Sequence, residues 1–281
     1  MTVSVLSDHR CILGEGVFWH PVRKTLFWFD ILGQRLFEQT DEGQRFWDFD
    51  RPVSAAGWAD RDSLLVATAR DLVVFDLSTG REAFLCPLEA EKPENRSNDG
   101  RADPFGGFWI GTMGFDAEPE AGAIYRWYRG TLQCLFPEMT ITNAICFGPD
   151  GKTAYFTDTA KGLIRRVMLD ASGWPVGQPE DWLDLRAEGL NPDGAVVDAD
   201  GNLWNAQWGA ARVASYGPDG RFQQAVGFPA KQISCPAFGG ADLSTLFATS
   251  ASIGQEDDPA AGQVFAAPVQ TRGQAEHRVI L

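Results

Sequence analysis

The chain has 281 residues, 44% of them hydrophobic and 12% aromatic, enough to bury a large core without disulfide or metal staples. This excludes a disordered segment or a minimal stapled module. A formal net charge of −14 argues against nucleic acid and anionic membrane surfaces as partners, because both recruit an excess of Lys and Arg.

The N-terminal stretch "MTVSVLSDHRCILGEG" has neither a charged n-region followed by an apolar run nor a long apolar span, so a cytoplasmic protein is expected. Within it "TVSVLS" reads as a strand. A turn flanked by apolar strands then recurs along the chain. In order, the copies are "WHPVRKTLFWFD" from Trp19, "WADRDSLLVAT" from Trp58 and "ADPFGGFWIGTM" from Ala102, then "FGPDGKTAYFTD" from Phe147, "VDADGNLWNAQW" from Val197 and "FGGADLSTLFATS" from Phe238. Further alternating strands fall between copies, at "LVVFDL" (72–77), "GAIYRWY" (122–128), "LIRRVML" (163–169) and "RVASYG" (212–217).

The apolar residues opening the second strand of each copy are Phe27, Leu65, Trp109, Tyr155, Trp204 and Phe247, spaced by 38, 44, 46, 49 and 43 residues. A period of about 40 to 50 residues with several short strands per repeat predicts propeller blades. The expected fold is therefore an all-β, six-bladed β-propeller of four-stranded blades, one domain over residues 1–281. Pairing of "TVSVLS" with "GQVFAAPV" would close the ring and remove its free edges. A pair of β-sandwiches is the alternative, but it does not require six copies.

Counting back four residues from the start of each copy reaches Glu15, Ser54, Asn98, Asn143, Asp193 and Ser234. All carry a side-chain oxygen, and all precede the first strand, which in a propeller lines the central channel. Asp193 then sits at the channel mouth, while Asp200, in the second Asp-Gly pair of "NPDGAVVDADGNLW", lies in a hairpin at the opposite end. Two carboxylates and two amides around one axis call for a cation between them. Oxygen donors suit one divalent metal ion, Ca²⁺ or Mg²⁺, with Mn²⁺, Zn²⁺ or Fe²⁺ as alternatives when water completes the shell.

Arg96 stands two residues before Asn98, and reads either as a solvated residue after the charged run "EAEKPEN" or as a donor leaning over the channel mouth. The acidic segment "GFDAEPEAG" (114–122) reads as a solvated loop, with a lid as the alternative. The histidines are His9, His20 and His277, and the repeat puts His20 at the turn end, which argues against a Ser-His-Asp or histidine-bound zinc site. No Gly-rich phosphate loop opens a helix. The five cysteines, Cys11, Cys86, Cys134, Cys146 and Cys235, lack C-x-x-C spacing and are expected to be reduced and buried.

The segments "LGEGVFWHPVRKTLFWFDI", "RSNDGRADPFGGFWIGTM", "TNAICFGPDGKTAYFTDT", "NPDGAVVDADGNLWNAQWG" and "CPAFGGADLSTLFATSA" resemble the successive signatures of the regucalcin (senescence marker protein) and gluconolactonase family, from Leu13 to the C-terminus. The resemblance implies a divalent-metal-dependent hydrolase that opens a sugar lactone, such as a glucono-, xylono- or arabinono-lactone, to the aldonic acid. It implies Glu15, Asn143 and Asp193 as metal ligands and Arg96 with Asn98 as the substrate-binding pair; Asp193 is also the candidate catalytic base. Ala144 stands where the family commonly has Gly, and "WNAQWG" replaces a usual "WVALWG". A noncatalytic calcium- or ligand-binding propeller, and an arylesterase or organophosphate hydrolase on a related propeller, are the competing readings. A monomer or weak homo-oligomer is expected.

Overall fold

The computed structural model describes residues 2–281. Its strands form six four-stranded antiparallel sheets around an axis, the predicted six-bladed propeller. The innermost strands of blades 1 to 6 are Gly14–His20, Val53–Trp58, Asn95–Ala102, Thr142–Phe147, Asn191–Val197 and Ile233–Gly239. The two helices among the described residues are single 3-10 turns, Thr159–Lys161 and Arg186–Glu188, and no helix is long and apolar enough to cross a membrane.

Ring closure follows the expected route. Ser4–Ser7 pairs antiparallel with Val264–Pro268, so the N-terminus supplies the outermost strand of blade 6. The closure holds the first and last parts of the chain in one sheet.

The repeat reads directly as packing. Phe27, Leu65, Trp109, Tyr155, Trp204 and Phe247 are all buried. They pair with Phe18, Gly57, Arg101, Cys146, Val196 and Ala237 on the inner strands. Each therefore stands at the same height in its blade, and the large side chains fill the wedges between blades. Three residues upstream of each partner stand Glu15, Ser54, Asn98, Asn143, Asp193 and Ser234, the positions that the repeat phase selects.

All six inner strands carry a register irregularity at that point, such as between Glu15 and Phe18, between Asn143 and Cys146, and between Pro192 and Ala195. A bulge leaves a residue out of the ladder and re-aims its side chain. Here it turns the oxygen-bearing residues toward the axis instead of into the wedge between blades.

One expectation needs correction. All five cysteines are free, and Cys11, Cys146 and Cys235 are buried, but Cys86 is only half-buried and Cys134 is exposed. Both of the latter lie on outermost strands, Arg81–Pro87 and Thr131–Met139, where no further blade strand covers them. The apolar run "QCLF" marks an edge strand there, not a core one.

The far end of the channel is closed by the C-terminal segment. Gln274 Nε2 donates to the carbonyls of Phe147 (3.1 Å) and Val197 (2.8 Å), Glu276 pairs with Arg101, and the Trp58 indole N–H donates to the Glu276 carbonyl. Solvent therefore reaches the axis from the opposite mouth.

Candidate active site

At that open mouth lies a pocket of about 350 Å³ lined by Glu15, Arg96, Asn98, Asn143 and Asp193. All five residues singled out in the sequence are thus brought together from four blades. All are buried, with 3 to 6% of their surface exposed. Ser54 and Ser234 do not line the pocket. Ser54 Oγ donates to Ser97 Oγ and Ser234 Oγ to the Gly14 carbonyl, so these two tie neighbouring inner strands together.

The amides are oriented by chains of hydrogen bonds. Thr159 Oγ1 donates to the Pro192 carbonyl (2.7 Å), and Asn143 Nδ2 donates to Thr159 Oγ1 (2.9 Å). This fixes the Asn143 amide with its oxygen on the pocket side. Asn98 Nδ2 donates to the Thr142 carbonyl (2.9 Å) and to Asn143 Oδ1 (3.2 Å), while Asn98 Oδ1 accepts from Arg96 Nη1 (2.7 Å). Arg96 Nη1 also donates to the Ser97 carbonyl, and the buried Arg96 Nε has no partner.

The electrostatics are those of an anionic cage. Burial pushes the Glu15 carboxyl up to about 8, and the charge of Asp99 adds to it, while the Gly16 N–H and Arg96 pull the other way. Burial raises Asp193 well above the usual carboxylate range, reinforced by Glu15 and then Asp99. Burial lowers Arg96 to about 10, opposed by Glu15 and Asp193. The buried Arg96 guanidinium thus faces two buried carboxyl groups, Glu15 and Asp193, while Asp99 is drawn down by Arg101. Asp99, pushed by burial to about 6, has one oxygen held by the Ile145 N–H at 2.7 Å.

This donor set fits a divalent cation. Two carboxylates and an amide oxygen offer hard ligands from three blades, and a positive ion among them would relieve the repulsion that now favours their protonated forms. His20 is far from this role: its Nε2 contacts the Asp60 carbonyl at 3.0 Å, and its Nδ1 accepts from the Val22 and Arg23 N–H groups at the turn end.

Sequence reasoning missed Asp99, Thr159 and the apolar wall. Asp99 sits in "SNDG", where Asp-Gly reads as a turn. Thr159 lies in "FTDT" and reads as the end of a strand. The wall is Leu13, Met113, Ala117, Ile141, Trp208 and Ile253, single residues from loops and strand ends with no shared spacing. Leu13, Met113, Ala117 and Trp208 lay in quoted segments, but at no common phase of the repeat. Ala117 brings the 114–122 segment to the rim, while Phe115 in that segment is exposed.

Residues 13–252 match the family described as the SMP-30/gluconolactonase/LRE-like region. The chain is similar to L-arabinolactonase of Azospirillum brasilense, with 38% identity over 289 residues covering 98% of this chain and 94% of that protein. It is 32% identical to pentonolactonase XacC of Haloferax volcanii, covering 99% and 98% of the two chains. Its fold matches a crystal structure of a calcium-binding protein, regucalcin, from Agrobacterium tumefaciens, with a TM-score of 0.95 and 37% identity over 99% of this chain and 97% of that one.

Proposed function

This chain belongs to the SMP-30/gluconolactonase/LRE-like family, and from that premise we propose that it is a divalent-metal-dependent lactonase that hydrolyses sugar lactones to aldonic acids. The observation that carries the reading is the convergence of Glu15, Asn143 and Asp193 with Arg96 and Asn98 in one closed-bottomed pocket.

Glu15, Asn143 and Asp193 would hold the ion. When bound, a divalent cation there would supply Lewis-acid polarisation of the lactone carbonyl and charge stabilisation of the tetrahedral oxyanion. The chain's own groups then divide the remaining work. Asp193 accepts a proton from the attacking water as its oxygen bonds to the carbonyl carbon. The ring C–O bond breaks next, and the ring oxygen leaves as a hydroxyl carrying that proton. The products, in one open chain, are an alcohol and a carboxylic acid that loses its remaining proton to solvent to become the carboxylate.

Asp193 serves this role only when deprotonated. Burial and Glu15 work against that state, and a cation in the cage works for it. Arg96 and Asn98 line the pocket where ring hydroxyls would sit, and the Asn98 amide oxygen holds the Arg96 guanidinium in place to orient the lactone, gaining rate through positioning. The apolar wall of Met113, Ile141, Trp208 and Ile253 keeps bulk water from the opposite face of the substrate. A calcium buffer would need the three oxygen ligands but not the Arg96/Asn98 pair, which favours an enzyme.

A pH-indicator assay on a panel of pentono- and hexono-lactones, with the ion removed by chelator and individual metals restored, tests this reading. Hydrolysis that disappears with chelation and returns with at least one divalent metal is expected. Chelator-insensitive hydrolysis would overturn the metal's role, and a silent panel under every metal would overturn the lactonase reading.

A further inference from the structure

A second group of metal-ligating side chains lies away from the axis. Among the described residues, His9, Cys11 and Asp30 place an imidazole nitrogen, a thiol sulfur and a carboxylate oxygen all within 4.8 Å of one another. Cys11 and Asp30 are buried and His9 is partly exposed, which leaves a path from solvent.

Asp30 has a structural counterpart that isolates what is unusual here. Asp30 ends the second strand of blade 1 and accepts from the Ile12, Leu13 and Gly33 N–H groups at 2.9 to 3.0 Å. Asp158 ends the second strand of blade 4 and accepts from Thr140, Ile141 and Ala160 in the same way. The charge of Asp158 is met by Lys161 at 3.6 Å. Asp30, only 2% exposed, has no ion-pair partner among the described residues, because the nearby Arg35 is engaged by Asp48 at 2.6 Å. Where blade 4 has a lysine, blade 1 has His9 and Cys11.

The buried Trp28 indole N–H, which has no hydrogen-bond partner, adds a second mark. Burial and then Asp30 push the Cys11 thiol far up, while Trp28 pulls it down, so an N–H donor is already in place for a thiolate. Asp30 Oδ2 accepts a single N–H and keeps a lone pair free.

We propose that His9, Cys11 and Asp30 form a second, structural metal site that takes a borderline-soft divalent ion of the zinc class. Nitrogen, sulfur and one carboxylate oxygen are zinc-type ligands, and water supplies the fourth position. Binding transfers the Cys11 proton to solvent as the metal–sulfur bond forms. The location gives the ion a purpose. His9 and Cys11 lie in the connector between Ser4–Ser7, which belongs to blade 6, and the first strand of blade 1, and the Cys11 N–H donates to the Gly262 carbonyl at 2.9 Å. An ion held there clamps the closure of the ring. The sequence argued against a histidine-bound zinc site because it weighed only the channel, where no histidine points.

Cobalt(II) titration of the metal-free full chain tests this independently of the lactonase reading, since the axial cage offers only oxygen and gives no sulfur-to-cobalt charge transfer. A near-ultraviolet charge-transfer band that saturates at one ion per chain, is displaced by zinc and is lost in Cys11→Ser is expected. His9→Ala, at a partly exposed position, should fold and retain lactonase turnover while weakening cobalt binding at this site at least tenfold. Absence of the band in the unsubstituted protein, or its persistence in both variants, would overturn the proposal.

Discussion

Asn143 and Thr159 belong to the same blade, and the Asn143 amide donates to the Thr159 hydroxyl over 2.9 Å while that hydroxyl donates onward to the Pro192 carbonyl in the next blade. The bond decides which end of the amide faces the pocket, and it links the two strands that carry the proposed ligands Asn143 and Asp193. Partners that orient ligands typically matter by about 10- to 100-fold in metal affinity or activity. Thr159→Val keeps the shape and removes the hydroxyl. It should lower metal affinity by about 10-fold or more with little change in thermal stability, as read by calorimetric titration and melting. Unchanged affinity would mean that the amide is held by Asn98 alone.

Asp193→Asn preserves volume and removes both the negative charge and the base. Loss of a positioned base typically costs about 100-fold or more in turnover. Lactone hydrolysis by this variant should fall at least that far even when metal is added to saturation. Recovery of full turnover at high metal would reduce Asp193 to a ligand and send the base assignment elsewhere.

The blades and four pocket residues, Glu15, Asn98, Asn143 and Asp193, were legible in the sequence because both are periodic, whereas Arg96 was found through its place two residues before Asn98. Phe27, Trp109 and Trp204 repeat at nearly constant intervals, and the candidate ligands keep a fixed offset from the repeat. Asp99, Thr159 and Ile253 were not legible because each depends on a single loop or a single strand end, with no second copy to set its phase. The closing segment from Gln274 to Ile280 was hidden for the same reason. It bonds to the backbones of Phe147, Val197, Trp58 and Gly106, and backbone acceptors leave no trace in residue identity. The exposure of Cys134 was missed because an apolar run on an outermost strand looks like an apolar run in the core.

The pH dependence of the metal-free protein follows from the carboxyl shifts. Burial first, then Asp99, raises Glu15 to about 8 from an unfolded value of about 4.3, and Asp193 is raised as well. A carboxyl raised on folding binds more protons in the native state than in the unfolded one between those two values. Stability therefore declines as pH rises through that window. The chelated protein should melt progressively lower from about pH 5 to about pH 9, and saturating divalent metal should flatten the profile. A melting temperature that rises with pH in the chelated protein would contradict the anionic cage.

The residues following two proposed ligands make a paired test. Gly16 and Ala144 follow Glu15 and Asn143, and both are in the left-handed region, at φ 57° and 54°. At Gly16 a Cβ would come within 2.1 Å of the Ser54 carbonyl oxygen and 2.8 Å of the Phe29 ring, so Gly16→Ala must push the inner strands of blades 1 and 2 apart. It should destabilise the fold and loosen Glu15, with metal affinity falling alongside. Ala144 already occupies the equivalent place with its side chain buried, and it bears the left-handed cost of about 1 to 2 kcal/mol. Ala144→Gly removes that cost and gives up a methyl contact and some unfolded-state restriction, terms of similar size. Its stability should therefore stay within about 1 kcal/mol of the unsubstituted protein, and metal affinity should be retained. Denaturant unfolding of the two variants side by side separates the steric demand at blade 1 from the backbone strain at blade 4. Equal losses in both would show that the two sites are not equivalent in the way that the repeat implies.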